Sequence, residues 1–414
     1  MSVQHSVIAL PAATDGALAL INHESILDRC WQTIDLHPDR LGIAAQLIDE
    51  EYRRSHFLGD ASALDRLLTL SETLLQQCSE SGEAYVLTAQ IASLVHKFDQ
   101  ATQYLVQAKN LGASAHSLLR QQLSIDHAIG HNWKDVFDTR LRLSVQSPNL
   151  QNLVALGALY AEMGLYQEAE DSYLRAIAED REHSPFSLAW ACFQLGVLYG
   201  ETLEPAQPAT AQYWYEQAVS YMPPYTHARV HLAELHLDAG RLDTALNLLL
   251  PIQDSEDPEV SWRLAQLYEH KGEAREASHH LARTQKNFER VLGRHELAFA
   301  DHAVDFYLEE GNHPEKALQL ALLNLDNRVT LRAFELSHEA ALACGQQLLA
   351  QSLADRAALQ WGHLPAFEHS KLRSVAIAPL NSAPSAARNA ELSSASIASA
   401  TSTSQNSTSS FSTT

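Results

Sequence analysis

The sequence predicts an all-α fold made of antiparallel helix pairs stacked in a row. Three observations carry this expectation. Gly and Pro number only 16 and 14 in 414 residues, which favours long helices over a turn-rich β fold. Apolar residues make up 46% and charged residues 19%, so a large core can be built. One pattern of small and aromatic residues also recurs through residues 82–362 in steps of 32 to 39 residues. A helix pair of that length leaves one apolar face uncovered, so successive pairs must stack to bury it.

The chain begins with residues 1–15, MSVQHSVIALPAATD, which we expect to be flexible. No basic stretch precedes an apolar one, so no secretory or transit signal is read here. No run approaches 18 uninterrupted apolar residues, which predicts no membrane insertion. Cys30, Cys78, Cys192 and Cys344 are far apart and form no CxxC pair, as expected for small apolar residues in a reducing compartment. A cytoplasmic protein is expected.

Residues 16–81 read as helical hairpins that diverge from the repeat. Leu27, Trp31, Ile34 and Pro38 mark one helix, and residues 41–57 and 61–78 mark an amphipathic pair. The regular array then runs over residues 82–370. Its clearest copy is LVALGALYAEMGLYQEAEDSYLRAIAEDR, residues 153–181. Gly157 and Ala169 are small where two helices cross closely, Tyr160 and Tyr173 fill the space around them, and Gly164 ends the first helix with positive φ. The same marks recur at Ala89, Ala101 and Ala108. They return at Leu195-Gly196, Tyr199, Ala211 and Tyr215, then at Leu232-Ala233, Gly240 and Ala245. Later copies carry Leu264-Ala265, Tyr268 and Gly272, then Tyr307, Gly311 and Ala317, and finally Gly345, Ala350 and Ala354. From residue 371 the chain becomes a Ser/Thr-rich tail to residue 414, too poor in large apolar residues to offset ordering entropy, so disorder is expected there.

This pattern resembles the tetratricopeptide repeat (TPR) superfamily. The copy at residues 193–221 has a turn lengthened by GETLEPAQPAT and a second helix AQYWYEQAV, which looks like the related Sel1-like repeat. The resemblance implies a right-handed solenoid whose first helices line a concave wall. It also implies a non-enzymatic scaffold or adaptor that holds a protein or peptide in that groove. Carried onto this chain, the family's groove positions give an apolar centre of Val154, Ala158, Trp190, Phe193 and Val197. They continue through His231, Glu234, Trp262, Arg263, Asp301, His302 and Asp305. Trp190 and Phe193 are either partner anchors or inter-helix packing.

The formal net charge of −21 argues against nucleic acid as a ligand. The C-terminal half of the groove is acidic. It either attracts a basic partner segment or is the solvated face of an acidic protein. Lys and Asn are missing from the positions at which the chaperone-binding subclass grips a terminal carboxylate. No phosphate loop, GxSxG or HExxH occurs, so no enzyme and no cofactor are expected. His227, His231 and Glu234 share one stripe of one helix, and HxxxH spacing can place two imidazoles on one metal. That makes a metal- or small-ligand-binding protein the alternative reading. Self-association through an edge or the convex back stays open.

Overall fold

The computed structural model describes residues 10–376, and among them the ordered elements are all helical. The first helix, α1 (Gly16–Leu36), precedes α2 (Leu41–Leu58) and α3 (Ser62–Gln77). The array continues through α4 (Gly82–Leu94), α5 (Phe98–Asn110), α6 (Ala115–Ile129), α7 (Trp133–Gln146), α8 (Leu150–Met163) and α9 (Tyr166–Ala178). Next come α10 (Pro185–Val197), α11 (Pro208–Tyr221), α12 (Thr226–Asp238), α13 (Leu242–Leu249) and α14 (Pro258–His270). The chain closes with α15 (Ala274–Leu308), α16 (Pro314–Asn327), α17 (Leu331–Ala343), α18 (Gln347–Trp361) and the short α19 (Pro365–His369).

Local chemistry sets the helix ends. Ser81, Ser114, Asn149 and Thr330 accept backbone N–H bonds at the starts of α4, α6, α8 and α17. Gly164 closes α8 with φ +81°, as its place in the repeat requires. Within a pair, the small residue of the first helix admits the aromatic of the second. A methyl group at Gly157 would stand 2.7 Å from Cδ1 of Tyr173, and Gly196 faces Tyr215 in the same way. Tyr173 and Tyr215 are accordingly almost wholly buried. First helices of successive pairs also touch directly, α2 with α4, α8 with α10, α12 with α14 and α15 with α17, so they form the inner wall.

Two features depart from the repeat grammar. The sequence predicts separate helices over residues 277–281 and 301–309. The structure instead has one 35-residue helix, α15, bent at His295 (φ −134°, ψ 50°). Its two halves serve as the second helix of one pair and the first helix of the next. After α10 the chain continues into one π-helical turn, Leu198–Thr202, before the lengthened loop.

The superhelix closes on itself, and its second turn stacks on its first. Ser62 Oγ donates to Glu256 Oε2 at 2.9 Å across 194 residues of sequence. Arg294 and His295 reach Asp65 at 2.6 and 3.0 Å. His96 Nδ1 meets the Leu297 carbonyl at 3.2 Å across 201 residues. Arg328 Nε donates to the Ala128 carbonyl at 3.1 Å across 200. Val329 N–H donates to the Ile129 carbonyl at 3.2 Å. Trp133 packs edge-on against Trp361 with ring centres 5.0 Å apart. Partners about 200 residues apart recur along the seam, so one superhelical turn is about six repeats long.

The expected flexible start is partly docked. Pro11 accepts a bond from Tyr221 OH at 2.7 Å, Thr14 N–H donates to the His183 carbonyl, and Leu10 and Ala13 lie against the core. The expected tail begins later than residue 371. Lys371–Ser374 form a 3₁₀ turn whose Leu372 is 1% exposed, because an isolated leucine beside α18 and α19 has apolar surface to cover. The rest of the Ser/Thr-rich tail lies outside the described residues.

Candidate partner-binding surface

Of the apolar centre expected on the groove, two residues are core and three are half-buried. Val154 is fully buried and Phe193 is 7% exposed. Phe193 is ringed by Tyr215, Tyr225 and His231 at centroid distances of 5.3 to 5.6 Å. Trp262 is 2% exposed, and its indole N–H donates to Glu310 Oε2 at 2.7 Å. None of these three can meet a partner without unpacking the wall, which for Phe193 is the packing alternative. Trp190, Ala158 and Val197 are half-buried, and Trp190 and Val197 lie against the main core.

The polar residues expected on the wall do come together, as a ladder crossing successive first helices. On α12, His231 Nδ1 bonds Glu201 Oε1 at 2.9 Å, and Glu234 accepts from Arg263 of α14 at 3.0 Å. The Arg263 guanidinium also lies over the Trp262 ring, 4.4 Å from its centre. On α14, Glu259 Oε1 bonds His302 Nδ1 of α15 at 2.9 Å. Asp301 then pairs with Arg328 at 3.5 Å, and Asp305 with Arg332 of α17 at 3.1 Å.

The ladder changes the expected electrostatics. Much of the acidic half is paired, so it is less bare than the sequence suggests. Burial opposes charge on His231, but Glu201, Glu259 and Glu234 outweigh it and lift the imidazole to about 9. Burial likewise opposes charge on His302, and Asp301 and Glu259 lift it to about 10. Burial would raise Glu259, yet the bond from His302 holds its carboxyl well below the usual range. Both imidazoles are therefore cations at neutral pH. Carboxylates still outnumber cations along the wall. Glu309 and Glu339 are exposed, Glu335 accepts from Ser370 Oγ, and Glu310 accepts from Trp262 and Gln266.

Several site residues escaped the sequence reading. Glu201 sits in the π-helical turn, which aims its carboxylate at His231 and at Tyr215 OH, 2.9 Å away. A carboxylate in the lengthened turn, beside a histidine stripe in need of counter-charge, was the available signal. Arg328 lies in the connection before α17. Tyr52, His56 and His96 belong to the first superhelical turn and reach the wall only because the turns stack.

The stripe of His227, His231 and Glu234 does not converge on a metal. His227 Nε2 turns to Asp257 Oδ2 at 3.2 Å, while His231 turns to Glu201. Among the described residues no group of three His, Cys, Asp or Glu side chains is placed to hold a metal ion.

Residues 203–260 match a family model described as Tetratricopeptide repeat. No curated protein matches the sequence. Among solved structures, a human IFIT1 dimer with PPP-AAAA aligns at 16% identity and a TM-score of 0.41. That alignment covers 72% of this chain and 68% of that one. The APC/C hetero-tetramer Cut9–Hcn1 aligns at 14% identity and a TM-score of 0.41, over 80% of this chain and 61% of that one. The chain thus spans less than two thirds of the second. Among the described residues no helix is long and apolar enough to cross a membrane.

Proposed function

We propose that this TPR-type solenoid is a non-enzymatic scaffold that holds a basic segment of a partner protein along the inner wall of its second superhelical turn. One observation carries the reading. The charged ladder runs across α12, α14, α15 and α17 with carboxylates and cations in equal number, and Glu309, Glu310, Glu335 and Glu339 beside it leave the wall with an excess of negative charge. A stacked-repeat fold presents such a wall as one continuous concave surface. Excess negative charge on it attracts a basic chain and weakens with salt. The affinity would come from polar pairing along the wall, because Val154, Phe193 and Trp262 are committed to the core.

The test is affinity capture at low and high salt with wild type and with Asp305→Asn, Glu309→Gln, Glu339→Gln combined. These three side chains are half- or fully exposed, so the variant should keep its helicity. A basic partner retained by wild type at low salt, released at high salt and lost by the variant supports the reading. Equal recovery by both proteins contradicts it.

A further inference from the structure

The corner inside α15 differs from the other connections between helix pairs. Among the described residues those connections each span three residues or more, whereas α15 turns at the single residue His295. His295 has φ −134° and ψ 50°. Nearly the same conformation ends other second helices at His37 (φ −140°, ψ 69°), Ser147 (φ −141°, ψ 71°) and Met222 (φ −132°, ψ 89°). Each of those three is followed by a proline, Pro38, Pro148 or Pro223. Proline stops a helix because it lacks the N–H and its ring clashes with the preceding turn. His295 is followed instead by Glu296, an exposed residue of good helix propensity, and no proline occurs in residues 274–308.

The inward face also runs through the corner in one register. Phe288, Val291, His295, Phe299, Ala303 and Phe306 follow one another in steps of three or four residues, the spacing of a single helix face. The local sequence therefore permits one straight amphipathic helix, and the bend is held from outside by the first superhelical turn. Asp65 of α3 meets Arg294 Nη1 at 2.6 Å and His295 Nε2 at 3.0 Å. His96 Nδ1 meets the Leu297 carbonyl at 3.2 Å. Phe299 packs against the first-turn core that includes Leu47 and Leu67. These contacts gather on residues 294–299, around the corner itself. Asp65 and Arg294 are 38% and 54% exposed, so the outer half of the latch is open to solvent.

We propose that α15 is a hinge between the two superhelical turns. In the closed form it is bent at His295 and latched by Asp65. In the open form residues 274–308 run as one straight helix, and the repeats beyond it leave the first turn. Residues 296–308 rise about 20 Å as a helix, so their far end moves by a distance of that order. Opening also divides the inner wall. Asp301, His302 and Asp305 ride on the moving half, and the bond from Glu259 to His302 joins α14 to that half. A segment bound along the whole wall therefore favours the closed form. That last consequence rests on the scaffold reading, and the hinge does not.

The test uses the full chain with Cys78→Ser and Cys344→Ser, and spin labels at Lys286→Cys and Leu359→Cys, exposed positions on either side of the corner. Double electron–electron resonance reads the distances between the labels. Asp65→Ala leaves the buried His295 Nε2 without its partner, and should raise a second, displaced distance population at least fivefold above wild type. Glu296→Pro should remove that population, because proline inside a straight helix disfavours it about a hundredfold. The closed corner accepts proline, as His313 (φ −138°, ψ 70°) followed by Pro314 shows at the start of α16. The variant combining Asp65→Ala with Glu296→Pro should therefore return to the wild-type distance. A seam that merely frays would give a broad distribution that proline does not restore. The proposal is overturned if Asp65→Ala keeps the wild-type distribution, or if its second population persists beside Glu296→Pro. A blocked octa-arginine peptide at low salt should shrink the open population of Asp65→Ala. If it does not, the wall loses its basic partner while the hinge stands, so the two readings fail separately.

Discussion

Gly164→Ala should loosen the seam between the two superhelical turns. Gly164 ends α8 with φ +81°, and an alanine held there costs about 1 kcal/mol from backbone strain alone. Its methyl group would also stand 2.7 Å from Cα of Ala366 and from the Pro365 carbonyl carbon. Those are backbone atoms, so relief requires the α8–α9 turn to part from the first turn of α19. Overpacking of that kind adds about 1–3 kcal/mol. Gly272 provides the matched control, since its φ is +73° but a methyl group there meets nothing within 4 Å. Gly272→Ala should therefore cost about 1 kcal/mol and Gly164→Ala about 3 kcal/mol in total. Amide hydrogen exchange read by mass spectrometry separates the two. Gly164→Ala should deprotect residues 361–374 and the α8–α9 turn, while Gly272→Ala leaves residues 361–374 unchanged. Equal loss of stability in both variants, with no local change at residues 361–374, would refute the stacked-turn argument.

Stability should peak near pH 6.5 and fall on both sides. His56 and His96 have folded values of about 3 and about 4, below the ordinary one, so their contribution is present above pH 6.5 and is lost as acid takes the pH down toward those values. His231 and His302 are raised to about 9 and about 10, so their contribution is present below pH 6.5 and is lost as the pH rises through those values. Thermal melts from pH 4 to 10 check this: His56→Gln should flatten the acid side only, and His231→Gln the alkaline side only. Trp262→Phe should cost about 1–2 kcal/mol in urea unfolding, because Glu310 loses the indole N–H that it accepts at 2.7 Å. Arg332→Ala should change stability by less than about 0.5 kcal/mol, since its pair with Asp305 is 62% and 42% exposed.

The helix pairs were legible because their signal is local. Gly157 must be small for Tyr173 to fit, and both lie within one repeat. Stacking of the two turns left no such mark. Ser62 and Glu256 meet only because small rotations add up over about six pairs, and no spacing in the sequence encodes that sum. The same limit left Phe193 open between anchor and packing. Its repeat position faces the groove, but the ring is covered by Tyr225 in the connection before α12 and by His231 on it. The acidic residues of the wall were legible in composition, and their pairing was not. Glu201 enters from an irregular turn, and Arg328 from a connection, where repeat grammar assigns no direction. Among the expected wall residues, His231, Glu234, Arg263, Asp301, His302 and Asp305 do share one surface, because helical spacing within a first helix survives any change in superhelical pitch.

Site-specific photo-crosslinking would test the wall as the partner surface most directly. A benzophenone side chain would replace Glu309 or Arg332, exposed on the wall, and in parallel Leu359, 64% exposed on α18. The account predicts one crosslinked partner segment from Glu309 and Arg332, competed away by a basic peptide and absent at high salt. Capture from Leu359 alone, or capture at the wall that neither peptide nor salt reduces, would contradict it.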